Sequence, residues 1–94
     1  MTTTFELIQK EIIETLKFPQ NEVLTDENLI NERNLELGRA LSLGNLEHSK
    51  IKIYFEDDQS CKMVETTVWG VTDKRVILKQ GVVIPINRVH KISL

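Results

Sequence analysis

Cys61 is the one thiol of the sequence, and with His48 or His90 it makes the only nucleophile–base pair that can be drawn. No local motif joins it to either histidine. A metal site would need three or four converging ligands, and His48, Cys61, His90 and the pair Asp57-Asp58 stand singly along the chain, without the close pairing of zinc sites. Cys61 therefore reads as a small residue opening a strand, and Asp57-Asp58 as a solvated hairpin turn. Gly38, Gly44, Gly70 and Gly81 are scattered, and none sits in a strand-to-helix turn with phosphate-loop spacing. The expectation is a protein with no catalytic residue, no metal and no cofactor.

The elements that would hold these residues are constrained by size. Ninety-four residues make one small domain, able to bury roughly 60–65% of the surface its unfolded chain exposes. Apolar stretches fall far short of the ~20 residues that cross a bilayer, so no membrane partner is expected. The start Met1-Thr-Thr-Thr-Phe-Glu6 lacks a basic, then apolar, secretory pattern, and a lone cysteine suits a reducing compartment. A cytoplasmic location is the expectation. The net charge of −2 is the sum of an acidic half, −5 over residues 1–49, and a basic half, +3 over residues 50–94. Such asymmetry fits either a polyanion-binding surface or two halves that dock on each other.

Along the chain, Thr3 and Glu6 fit a capping box. Phe5, Ile8, Ile12 and Leu16 then recur at helical spacing, with a stop near Lys17 ahead of Pro19. Thr25-Asp26 resembles an N-cap, which predicts a helix over about 26–36. Residues 37–49 stay open, because Leu35-Glu36-Leu37 and Leu41-Ser42-Leu43 alternate as a strand pair would. From residue 50 the period is two. Strands are predicted at 50–56, at 61–71, at 75–79, at 82–84 and at 89–94, with Gln80-Gly81 as a tight turn and Ile86-Asn87-Arg88 as a one-turn connector. Gly70 would let the long second strand bend to serve two sheets.

The run Val68-Trp-Gly-Val-Thr-Asp-Lys-Arg-Val-Ile-Leu-Lys-Gln-Gly-Val-Val-Ile-Pro-Ile-Asn-Arg-Val-His-Lys-Ile92 resembles the small SH3-like and Sm-like barrels: a bent strand, a polar turn, a hairpin, a one-turn helix and a closing strand. The likeness covers residues 50–94, rests on spacing and hydrophobic pattern, and extends to short bacterial proteins of this type. It implies an α+β fold in which an N-terminal helical segment packs on a five-stranded antiparallel barrel. Where Sm-type proteins read uridine they carry an Asp-x-x-Asn-like loop and an Arg-Gly loop. Here the corresponding turns are Thr72-Asp73-Lys74-Arg75 and Pro85-Ile86-Asn87-Arg88, a departure from that pattern.

The expected function is a non-enzymatic module that binds another protein, with Trp69, Met63 and Tyr54 as candidate contact residues. Whether the N-terminal helix covers Trp69 stays open. The alternative is an RNA-binding regulator using Lys74, Arg75 and Arg88 on the barrel's turns. Edge pairing into a homo-oligomer is compatible with both.

Overall fold

A computed structural model describes residues 4–94. The described residues form one α-helix and seven strands in two sheets. The first sheet has the order β1 (Glu6–Leu7), β3 (Cys61–Thr66), β2 (Ile51–Glu56), β7 (Val89–Ser93), and the second the order β4 (Val68–Val71), β5 (Arg75–Leu78), β6 (Val83–Pro85). The α+β class holds. A closed five-stranded barrel is not formed, because among the described residues no ladder joins the two sheets; the predicted strand 61–71 does serve both, but through a break at Thr67, with a register shift at Val68–Gly70 beyond it.

The period-two pattern of β2 decides the core. Ile51, Ile53 and Phe55 are buried and face Val64 and Thr66 of β3, while Lys52 stays in solvent. Val68, Val76, Leu78, Ile84 and Val89 from the later strands join them in the apolar interior. The hairpin turns where predicted but over three residues, Lys79–Gly81, closed by Leu78 N–H donating to the Val82 carbonyl, with positive φ at Gln80 and Gly81 (68° and 80°), and Ile86–Arg88 forms the expected single helical turn.

The predicted helix over residues 5–17 is absent. Glu6–Leu7 instead pairs in parallel with Lys62–Met63 on the edge of β3, and Lys10–Thr15 forms a 3₁₀ turn that buries Ile13. A free helix of that length is marginal in water, whereas the open edge of β3 supplies backbone partners directly. Ile8 N–H donates to the Met63 carbonyl at 2.9 Å, and Asp58 N–H to that of Lys17 at 2.9 Å. The capping box falls on Thr3, outside the described residues.

The other helix, α1 (Glu27–Glu47), is longer than predicted and absorbs the open stretch up to Glu47. Asp26 caps it, its side chain accepting from Asn28 N–H at 2.8 Å, and His48 ends it in the left-handed region with φ 54°. Arg33, Leu37, Ala40 and Gly44 form one buried stripe at steps of three and four, by which α1 packs on β4 and β7. That burial outweighs the helix-weakening glycines at 38 and 44.

Candidate functional site

Two pairing details bring three chemically distinct side chains together on the outer face of the first sheet. Glu56 and Cys61 are direct partners across the β2–β3 hairpin, so both project from the same face. On the other side of β2, Tyr54 pairs with Lys91 but Phe55 pairs with Val89, leaving His90 as the extra residue of a bulge. Without it His90 would face Phe55 and the core; with it, the imidazole is turned outward beside Glu56. His90 Nε2 donates to Glu56 Oε1 at 3.0 Å, and Cys61 Sγ donates to the same oxygen at 3.5 Å. All three ligand-capable atoms lie within 4.8 Å of one another.

The surroundings fix this cluster. Arg88 approaches Glu56 Oε2 at 3.6 Å, while its guanidinium also donates to the Glu56, Asp57 and Asn21 carbonyls. Phe5 packs edge-on against His90 and Tyr54, with ring centroids 5.5 and 5.0 Å away. The hydrogen bond from His90 holds the Glu56 carboxyl below its ordinary pKa, against partial burial and with help from Cys61 and Arg88. Burial, then the Glu56 charge, pushes the Cys61 thiol up. A raised thiol is the reverse of what a nucleophilic cysteine needs.

The turn below is only partly as expected. Asp57 is buried rather than solvated: Oδ1 accepts from Gln59 and Ser60 N–H, both at 2.8 Å, and Oδ2 from Lys62 Nζ at 2.8 Å. Its desolvation is outweighed by these bonds, which leave its pKa lowered.

Of the candidate contact residues, Tyr54 and Met63 are cross-strand partners near the cluster, with Lys91 Nζ 4.9 Å from the Tyr54 ring centre. Trp69 lies in the other sheet, on β4, and is 52% exposed. Lys74 and Arg75 are exposed and line a cleft of about 650 Å³ of mixed character, shared with the acids Glu22 and Asp73, with Asn34 and Asn87, and with Pro85 and Ile86. Arg88 is 5% exposed, its guanidinium occupied by carbonyls.

A second cleft, of about 460 Å³, runs between α1 and the free edge of β7; Leu29, Glu32 and Glu36 form one wall and His90–Leu94 the other. Arg33 closes its floor, held by a bidentate pair with Glu22 (2.7 Å to each oxygen) and by the Val89 carbonyl at 3.0 Å. Periodicity exposed neither the cleft nor the cluster. The signal within reach was the Glu56–Cys61 pairing implied by the four-residue turn. The His90 bulge has no local signature.

No family model matches the chain, and no curated protein and no solved structure matches it. No helix among the described residues is long and apolar enough to cross a membrane.

Proposed function

We propose that the protein is a non-enzymatic interaction module that captures an extended segment of another protein along the edge of β7. The observation that carries this is the conjunction of an unpaired strand edge with a cleft beside it. Among the described residues, one row of β7 backbone donors and acceptors has no strand partner, and such an edge accepts an added strand. Leu29 and Leu94, about half exposed, offer apolar contacts, and Glu32, with Glu36 in a loose 3.5 Å pair with Arg39, gives the helical wall its charge. Lys91 turns its ammonium over Tyr54 instead. The fitting occupant alternates apolar and basic side chains. The path from β3 through β4, β5, β6 and one helical turn back to β7 further supports an SH3-like or Sm-like arrangement, left open between its sheets.

The test is titration of a synthetic peptide alternating valine and lysine, followed by amide NMR shifts. Shifts confined to β7 and the first half of α1, weakened by Glu32→Lys with Glu36→Lys, are expected. No shifts, or β7 shifts explained by concentration-dependent dimers in light scattering, would overturn it.

A second reading, RNA binding, is favoured by the placement of Lys74 and Arg75 on one cleft with Asn87. Mixed single-stranded RNA should then bind with an affinity that falls steeply as salt rises; a flat or absent response removes it.

A further inference from the structure

We infer that Glu56 Oε1, Cys61 Sγ and His90 Nε2 bind a single divalent cation of the zinc class on the outer face of the first sheet. This goes beyond the interaction reading and does not depend on it.

The geometry is close to what the ion requires. Tetrahedral zinc with bonds of about 2.3 Å to sulfur and about 2.0–2.1 Å to nitrogen and oxygen separates its ligand atoms by about 3.3–3.6 Å. Here Oε1 is 3.0 Å from Nε2 and 3.5 Å from Sγ, and the remaining side of the triangle is within 4.8 Å. Two sides need adjustments of a few tenths of an ångström, and the third closes by a rotation of Cys61 or His90. One sulfur, one imidazole and one carboxylate form a mixed set that suits zinc and excludes magnesium and calcium, which take oxygen.

The site is also built into the backbone. Its ligands come from β2, β3 and β7, placed by a cross-strand register and by the bulge at His90, rather than from one mobile loop. Arg88 beside Oε2 and the Phe5 ring against the imidazole orient two of the three ligands. Arg88 opposes the cation by its charge, but carboxylate and thiolate together outweigh it. His90 is 24% and Glu56 36% exposed, which leaves an entry path and a fourth position for water.

The probe is Co²⁺, whose bond to thiolate absorbs in the near ultraviolet, with Zn²⁺ as competitor. One Co²⁺ per chain with a sulfur charge-transfer band that Zn²⁺ abolishes is expected. Cys61→Ser should lose the band, and His90→Gln and Glu56→Gln should each weaken binding at least tenfold, while His48→Gln leaves it unchanged. Absence of the band, or equal affinity in His90→Gln, would overturn the site. A measurement on the unaltered protein stands independently of how the variants fold: stoichiometric Zn²⁺ should slow alkylation of Cys61 at least tenfold, and an unchanged rate would likewise overturn it.

Discussion

Gly44 of α1 lies directly against the Val68 carbonyl oxygen of β4, so that a Cβ on residue 44 would fall well inside contact distance of that oxygen and 3.3 Å from Thr67 Cγ2. The helix touches the second sheet backbone to backbone there, and neither a carbonyl nor the strand carrying it can rotate away.

Gly44→Ala should therefore destabilise the protein by about 1–3 kcal/mol, the overpacking cost exceeding the gain in helix propensity. Gly38 sits in the same helix with nothing within 4 Å of the equivalent position. Gly38→Ala should stabilise by about 0.4–1 kcal/mol. Urea denaturation of the two variants should move the midpoint in opposite directions, and equal shifts would deny the close approach.

Asp57→Ala should cost about 3 kcal/mol. It removes the acceptor of two turn N–H groups and leaves the Lys62 ammonium, 11% exposed, with only the Ser60 hydroxyl as partner. Thermal unfolding reads this directly. A change of a few tenths would mean that the turn is solvated, as its composition suggests.

His48 takes φ 54° at the end of α1, where a side chain is strained and glycine is not. His48→Gly should raise stability by about 0.5–1 kcal/mol, visible as a higher melting temperature. Loss of stability would show that the imidazole makes a contribution larger than the backbone strain.

Acid sensitivity should centre partly on Glu22. Burial raises its pKa, but the paired Arg33 and the Leu24 N–H outweigh this and leave it below the ordinary 4.5. A carboxylate lowered in the folded state contributes stability that is complete above its unfolded value and is lost as pH falls through the folded one. Glu22→Gln should thus lower stability at neutral pH and flatten its decline below pH 4.5. The slope is reduced rather than abolished, because Asp57 titrates in the same sense. Urea midpoints followed downward from neutral pH check it; parallel curves would refute the linkage.

Local chemistry made much of the C-terminal half legible. The alternation Ile51, Ile53, Phe55 assigned β2 and its inward face, and Gln80-Gly81 and Ile86–Arg88 marked their turns. The N-terminal segment is deceptive because Phe5, Ile8 and Ile12 have helical spacing, yet their positions are settled by the distant edge of β3, which no window around them contains. The reverse happened at Gly38 and Gly44, where two poor helix formers belong to a helix because Leu37, Ala40 and Gly44 meet the sheet. The Glu56–Cys61–His90 cluster was hidden for a similar reason. Its third member arrives through a one-residue slip in pairing, which the types of the residues around it do not announce.

That slip also belongs to a far longer ring closure than the hairpin beside it. Joining β2 to β3 closes only the turn Asp57–Ser60, whereas joining Phe55 to Val89 closes the whole stretch 56–88. The difference in closure entropy is about 2 kcal/mol. Local hairpins such as β2–β3 and β4–β5 can form before that ring shuts, so during refolding β7 is expected to dock after them, and His90 with it. Stopped-flow refolding would show this as Trp69 fluorescence, which reports β4, recovering ahead of amide protection in β7.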